Sequence, residues 1–212
     1  MRTARAVLVA ICVLTNADAA AADTTQFTIT RNGDPIGMCT MDIKRSGPET
    51  SVNITTDLAV NVLFFAAYRL DQRESERWIN GHLVALRSTT DNNGVQHEVN
   101  VVKEGSDLEL DADGSFSRLD QDIIPSTFWN PEFLRHSLVL DTQDGRVTSM
   151  SVVDDGSERL TIGTRTIDAH HYTVRGRYSE DVWYDEGGHL VQVEIIGSDG
   201  SIIRYQPVQL PV

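Results

Sequence analysis

The sequence predicts an all-β protein built from antiparallel strands, as in a sandwich or barrel, with one short helix. Three observations support this. Turn-forming dipeptides recur at intervals of roughly 10 to 20 residues along most of the chain. The segments between the turns alternate apolar and polar residues, as half-buried strands do. One segment alone combines the residues that start a helix.

The turn signals are pairs in which Gly follows Asn, Asp, Ser or Glu. These residues supply the positive backbone φ angles that tight hairpins need. The main sites are Asn32-Gly33, Ser46-Gly47, Asn80-Gly81, Asn93-Gly94, Asp113-Gly114, Asp144-Gly145, Asp155-Gly156, Glu186-Gly187-Gly188 and Asp199-Gly200. Their regular spacing is typical of a β-meander.

The alternation places apolar residues on one face of several segments. These faces hold Cys39, Met41 and Ile43; Val52, Ile54 and Leu58; and Val191, Val193 and Ile195. The intervening residues are mostly polar. So many half-polar strands imply a sheet that is exposed to water on one side.

Two segments depart from this alternation. Residues Leu58 to Tyr68 are apolar on both faces, which predicts a deeply buried strand. The second is Pro125 to His136, where Asn130 is a good N-cap and Pro131 suits the first helical position. We predict one short helix from Pro131 to about His136.

The N-terminus has the pattern of a cleavable signal peptide. Arg2 and Arg5 precede nine uncharged apolar residues, Ala6 to Leu14, and small residues follow. Because a spanning helix needs roughly 20 apolar residues, this stretch is too short to be a membrane anchor. We therefore expect a signal peptide at 1–21, a single β domain at 22–212, and a location in the periplasm or outside the cell.

The charge of the chain narrows the range of partners. Without residues 1–21, 16 basic and 30 acidic residues remain, a net charge near −14. Such an acidic surface argues against nucleic acid or anionic lipid headgroups as partners. Cys39 is the one remaining cysteine, so the predicted domain has no internal disulfide.

The most distinctive motif is Trp183-Tyr184-Asp185, which precedes the last predicted hairpin. Together with Glu76-Arg77-Trp78 upstream, it resembles a group of exported bacterial β-proteins described as domains of unknown function. The resemblance runs from about Phe27 to Tyr205. It implies a single curved antiparallel sheet or incomplete barrel, similar to periplasmic lipoprotein carriers. From the residues themselves, Trp183 and Tyr184 should point to opposite faces of a strand and Asp185 should close the turn.

Metal sites have little support in the sequence. His170 and His171 are adjacent on a predicted strand, so their side chains point to opposite faces and cannot share one ion. A weak calcium pattern comprises Glu109, Asp111, Asp113 and Asp120, with a glycine at the sixth position. Its first and twelfth ligands and its flanks depart from the usual loop. The alternative is an acidic hairpin, and we predict no metal.

Catalytic motifs are also missing from the sequence. It contains neither a Gly-x-Ser-x-Gly elbow nor a phosphate-binding glycine loop, and Cys39 lies among apolar residues that suit an inert core thiol. We therefore predict no cofactor and assign no catalytic residue.

Aromatic residues cluster in the two segments that break the strand pattern. They are Phe64, Phe65, Tyr68, Phe128, Trp129 and Phe133. A curved sheet with a helix over its mouth would enclose an apolar cavity lined by these side chains. The alternative is that they fill the core.

The leading hypothesis is therefore non-catalytic binding, and carriage, of a hydrophobic ligand such as a lipid. One alternative is an envelope module with a filled core that docks a protein partner. A second is an enzyme acting on envelope material, which requires polar side chains converging in a cleft.

Overall fold

The computed structural model describes residues 21–62 and 65–210. The predicted signal peptide lies outside these residues except for Ala21, with which the first strand begins. Sixteen strands and one 3₁₀ helix are present in the described part. The 3₁₀ helix spans Pro131–Arg135.

The first half of the chain is a series of strands in sequence order. They are β1 (Ala21–Arg31), β2 (Asp34–Ser46), β3 (Glu49–Val62), β4 (Phe65–Ile79), β5 (His82–Asn92), β6 (Val95–Glu104), β7 (Asp107–Ala112) and β8 (Ser115–Leu119). Three short strands follow: β9 (Ile124–Pro125), β10 (Leu138–Leu140) and β11 (Val147–Ser149). The last five are β12 (Ser151–Ile162), β13 (Arg165–Arg175), β14 (Ser179–Tyr184), β15 (Leu190–Ile196) and β16 (Ile202–Pro207).

Thirteen strands form one antiparallel sheet, in the order β12 to β16, then β1 to β8. Strand β1 lies inside the sheet because it pairs with β2 on one side and with β16 on the other. The edge strands β8 and β12 do not pair with each other, so the curved sheet does not close into a barrel. The predicted all-β fold, a curved antiparallel sheet or incomplete barrel, is confirmed.

Several tight turns follow the predicted dipeptides, whereas the hairpin turns at Gly105 and Gly163 were not predicted. Positive φ angles occur at both residues of Asn32-Gly33, Asn80-Gly81, Asn93-Gly94 and Asp113-Gly114. Two successive residues in this conformation define the turn whose twist matches a hairpin, which explains the choice of Asn or Asp before Gly. Asp155-Gly156 was predicted as a turn, and this is wrong, because it lies inside β12, where the register shifts opposite β13.

Register shifts help to curve the sheet. Among the described residues they interrupt five strand pairings, including β1 with β2 between Ile29 and Thr30. An extra residue on one strand bends it and increases its twist. Gly37, beside the first shift, is pressed against β3. A Cβ atom at Gly37 would lie 2.1 Å from the carbonyl oxygen of Asp57.

The connection between β8 and β12 packs against the inner face of the sheet. It carries β9 to β11 and the 3₁₀ helix, and its residues Phe133, Val139 and Met150 are buried with the apolar residues of the large sheet. The predicted helix is confirmed as a 3₁₀ helix. The Asn130 side chain accepts a hydrogen bond of 3.1 Å from the backbone N–H of Glu132, as an N-cap does.

Two predictions about strands are wrong. The segment Leu58 to Tyr68 is not one strand, since β3 ends at Val62 and β4 begins at Phe65. The apolar run therefore contains a hairpin, and it has no Gly or Pro to announce one. Val191 does not share a face with Val193. Trp183 pairs with Gln192 and Tyr184 pairs with Leu190, so Val191 is an extra, unpaired residue of β15 at this register shift. Its side chain packs instead with Trp183.

The Trp183-Tyr184-Asp185 motif connects the two faces of the sheet, as predicted. Trp183 belongs to a small cluster with Ile162, Ala169 and Val191, and Tyr184 belongs to the main core. The Tyr184 hydroxyl donates a hydrogen bond of 2.7 Å to the carbonyl of Phe128, a residue with a φ of 58°. Asp185 closes the turn by accepting a hydrogen bond of 2.9 Å from the backbone N–H of His189.

Gly37→Ala is expected to destabilise the protein by about 2 to 4 kcal/mol, because the new methyl group would overlap backbone atoms of β3. Urea unfolding followed by circular dichroism measures this change. The control is Met38→Ala, since Met38 is the next residue of the strand and its side chain is exposed. Its effect should stay below about 1 kcal/mol. Equal effects of the two substitutions would contradict the close approach of β2 and β3.

Candidate functional site

A cavity of about 720 Å³ lies between the inner face of the sheet and the connection that packs against it. This volume falls within the usual range for small-molecule sites, about 300 to 1,000 Å³. Much of the wall is apolar. These lining residues are Phe27, Met41, Ile54, Leu58, Leu70, Phe128, Phe133, Val139, Leu190, Val193, Ile195 and Ile203.

Three of the six predicted cavity residues, Tyr68, Phe128 and Phe133, line this cavity. Phe128 and Phe133 meet edge to face, with their ring centroids 5.2 Å apart. Trp129 does not line the cavity and packs edge to face on Trp78, at 5.6 Å. Phe64 and the side chain of Phe65 lie outside the described residues, so their placement stays a prediction.

The cavity wall also contains a polar group that was not predicted from the sequence. Gln72 and Glu74 of β4 face inward and are at least nine-tenths buried. The amide of Gln72 donates hydrogen bonds of 3.2 Å to the hydroxyls of Ser88 and Thr142. The sequence does contain a signal for their burial. Gln72, Glu74 and Glu76 alternate along the strand face that also carries the apolar residues Leu70 and Trp78. Such residues are usually assigned to the exposed face of a strand.

Glu74 and Glu76 form a buried carboxyl pair. One oxygen of Glu76 accepts hydrogen bonds from the indole N–H groups of Trp78, at 2.6 Å, and Trp129, at 2.8 Å. Burial, followed by the nearby Glu76 carboxylate, raises the pKa of Glu74 well above its usual value, so Glu74 holds the proton of the pair. The Oε1 atoms of Glu74 and Glu76 are both buried and receive no hydrogen bond from other described residues, and the two side chains are within hydrogen-bonding reach of each other.

A second polar group comes from β14, from the turn before it and from the connection. The Arg177 guanidinium donates hydrogen bonds of 2.7 Å to both Asp141 and Asp144. Burial, and then the charge of Asp141, raise the pKa of Glu180 to about 7. Arg177, Asp141 and Glu180 all line the cavity. Among the described residues Glu180 makes neither a side-chain hydrogen bond nor an ion pair.

Cys39 also lines the cavity and is buried. Burial raises the pKa of its thiol to about 11, so the thiolate is scarce at neutral pH. Since the thiolate is the reactive form, the raised pKa disfavours a nucleophilic role for Cys39.

The weak calcium candidates do not form a site. Asp111 and Asp113 hold the turn between β7 and β8, where Asp111 accepts from the Gly114 N–H at 2.9 Å and Asp113 contacts His97 at 2.6 Å. Glu109 pairs across the hairpin with Arg118, and Asp120 follows the far end of β8. Within the described ranges, no group of three or more acidic, histidine or cysteine side chains is placed to hold a metal ion.

The adjacent histidines point to opposite faces, as predicted. His171 stacks on Trp183 with ring centroids 4.3 Å apart. His170 lies 3.3 Å from the Ser157 hydroxyl and 2.5 Å from Asp154. The contacts from Ser157 to His170 and from His170 to Asp154 resemble the Ser-His-Asp triad of hydrolases. However, the side chains of His170 and Asp154 are 38% and 62% exposed. Water competes for both groups there, so we assign them no catalytic role.

Within the described residues, no helix has the length and apolar character needed to span a membrane.

The fold and the cavity define a class of protein, an open antiparallel β-barrel that encloses a partly polar interior. The chain belongs to the family described as Domain of unknown function (DUF6134), which matches residues 27–208. The resemblance to β-proteins of unknown function is thereby confirmed. No match is found among functionally curated proteins.

The fold is also similar to a solved structure, titled the crystal structure of a beta-barrel-like protein of Domain of Unknown Function DUF1849 from Brucella abortus. The TM-score is 0.65 at 11% sequence identity, over 88% of this chain and 95% of that one. At this identity the likeness supports the fold alone.

The raised pKa of Glu180 makes a prediction about stability. In the unfolded chain this carboxyl loses its proton near the ordinary glutamate pKa of 4.5, whereas in the folded protein it keeps the proton to about pH 7. Between these values the folded state binds more protons. Stability from Glu180 is therefore full below pH 4.5 and falls, by up to about 3 kcal/mol, as the pH rises to about 7.

We expect Glu180→Gln to stabilise the protein by about 2 to 3 kcal/mol at pH 8 and by less than about 0.5 kcal/mol at pH 4. Urea unfolding at both pH values measures the difference. Glu98→Gln is the control, because Glu98 is an exposed carboxylate paired with Arg87. A gain for Glu180→Gln that is equal at both pH values would show that the Glu180 carboxyl ionises normally.

Proposed function

We propose that the protein is an exported binding protein that holds, and carries, an apolar small molecule such as a single-chain lipid in its internal cavity. The observation that supports this proposal is the volume of about 720 Å³ with a mostly apolar wall. Burying a ligand there removes apolar surface from water, at roughly 25 cal/mol per Å² before ordering costs are subtracted.

The cavity favours this function over the filled-core interaction module. A protein that only docks partners through its surface has no need of an internal space, and voids in a core cost stability. The walls come from distant parts of the chain, Ile54 from β3, Phe133 from the connection and Val193 from β15. The proposed location in the periplasm or outside the cell rests on the N-terminal signal pattern.

Enzymatic action on envelope material is the second candidate. The specific observation in its favour is Glu180, since a carboxyl with a pKa near 7 in a cavity suits general acid–base catalysis. Mass spectrometry of the recovered ligand separates the two functions. A ligand recovered unchanged after long incubation with the protein supports binding, and a stoichiometric excess of a new product supports catalysis.

Filling the cavity should remove binding. We expect Ile54→Trp to lower the affinity for N-phenyl-1-naphthylamine, an apolar fluorescent probe, at least about tenfold, because the larger side chain would occupy the ligand volume. Fluorescence titration of the mature protein measures the dissociation constant. Organic extraction of protein purified from its native envelope should in parallel release an apolar molecule from the wild type and less of it from this variant.

The matched control is Asn53→Trp, because Asn53 is the neighbouring residue on β3 and its side chain is exposed. Its affinity should stay within about twofold of the wild type. Val193→Phe repeats the test from another strand if Ile54→Trp does not fold. Unchanged probe binding in both cavity variants, with circular dichroism showing folded proteins, would overturn the proposed function.

A further inference from the structure

We infer that the cavity selects an apolar ligand whose polar end is a protonated amine. This inference rests on the proposed function and adds the chemical class of the ligand. It is carried by the charge balance of the wall and by Glu180, a carboxyl group of that wall that has no hydrogen-bond or ion-pair partner inside the described part of the protein.

The arginines in the cavity wall are already paired. Among the described residues, Arg31 and Arg177 are the basic side chains that line the cavity. Arg31 forms an ion pair with Asp199, and Arg177 forms two, with Asp141 and Asp144, at 2.7 Å each. An anionic head, such as the carboxylate of a fatty acid, would have to displace one of these carboxylates to find a cation.

The carboxyl groups in the wall outnumber the arginines. Glu74, Asp141, Glu180 and Asp199 line the cavity, against the two arginines. Asp141 and Asp199 are paired with arginines, and Glu74 is paired with Glu76, which leaves Glu180. Burying a carboxylate without a partner is costly, and an ammonium group entering the cavity would supply that partner.

Glu180 offers an acceptor that no other described residue uses. It lines the cavity from β14 and makes neither a side-chain hydrogen bond nor an ion pair among the described residues. Buried polar groups are nearly always satisfied by protein, water or a ligand. An ammonium group has three donors, so one head can serve Glu180 and also neighbouring hydroxyls.

Tyr68, Tyr178 and Tyr205 line the cavity together with Glu180. The Arg177 guanidinium lies over the ring of Tyr178, 5.4 Å from its centroid, which leaves Tyr68 and Tyr205 for a ligand. Burial is the main cause that raises the pKa of Tyr205, and the charge of Glu180 is a minor one. Aromatic faces beside a carboxylate are a favourable environment for an ammonium head, because the ring face is negative. A hydroxyl head gains only the hydrogen bonds.

Three probes with the same chain and different heads test the inference: dodecylamine, dodecanol and dodecanoate. We expect dodecylamine to bind the mature protein at pH 8 at least about tenfold more tightly than dodecanol, and dodecanoate to bind most weakly. Displacement of N-phenyl-1-naphthylamine, below the micelle concentration of each probe, gives the three dissociation constants.

Glu180→Gln locates the effect. It should remove most of the preference for dodecylamine over dodecanol, measured as the ratio of the two dissociation constants, whereas Glu98→Gln, on the exposed face of β6, should leave that ratio and both affinities unchanged. If all three probes bind equally, or dodecanoate binds most tightly, the amine inference fails while the binding function stands. If none of the three binds, the proposed function fails and the inference fails with it.

Lysophosphatidylethanolamine distinguishes the source of the amine. Binding as tight as that of dodecylamine indicates a lipid headgroup that carries its own phosphate. Binding at least tenfold weaker indicates a simple amine, since the phosphate would meet the carboxylates of the wall. Both results support the amine inference.

Discussion

The rest of the structure depends on how residues 120–150 are held against the inner face of a sheet that does not close. In a closed barrel, hydrogen bonds between the first and last strands fix the interior. Here β8 and β12 do not pair, so the connection between them covers the inside. The hydrogen bond from Trp129 to Glu76 fastens this connection to β4, and the hydrogen bond from Tyr184 to Phe128 fastens it to β14. These two polar contacts place the aromatic wall of the cavity.

Because Trp129 of the connection is held by Glu76 of β4, a carboxyl group has to lie in the interior of the protein. The Glu76 oxygen that receives two indole N–H groups is well stabilised, because charge-assisted hydrogen bonds are strong in a buried site. Glu74 lies two residues along the same face, so two carboxylates would repel each other there. The raised pKa of Glu74, caused by its burial and then by Glu76, resolves this repulsion, since its protonated form can donate a hydrogen bond to Glu76.

Local chemistry explains which parts of the fold were predictable. Asn80-Gly81 and Asn93-Gly94 specify their turns because few residues adopt positive φ, and Asn130-Pro131 specifies the helix start through one side-chain acceptor. The hairpin inside Leu58 to Tyr68 depends on how the sheet pairs, and the local sequence does not encode it. The displacement of Val191 has the same origin, since a register shift is a property of two strands.

The candidate site was predictable only in its apolar half. Tyr68, Phe128 and Phe133 are large aromatic residues in segments that break the strand pattern, and they line the cavity. Glu74 and Glu180 share their strand faces with the buried residues Leu70 and Val182, but a carboxylate in a strand is usually assigned to the exposed face. Their burial follows from strands far apart in the chain, β4 and β14, curving around one interior.

A partnerless carboxyl in a cavity wall has a consequence for how the protein works. An apolar residue in place of Glu180 would make a more stable core, because ionising Glu180 at neutral pH opposes folding. A ligand that brings a positive charge reverses this effect, since it stabilises the ionised form and binds only the folded state. In the proposed binding protein, ligand binding and stability would be coupled through Glu180, and the empty protein would be the less stable form. Such a trade of stability for recognition is expected at a binding site and has no purpose in a packed core.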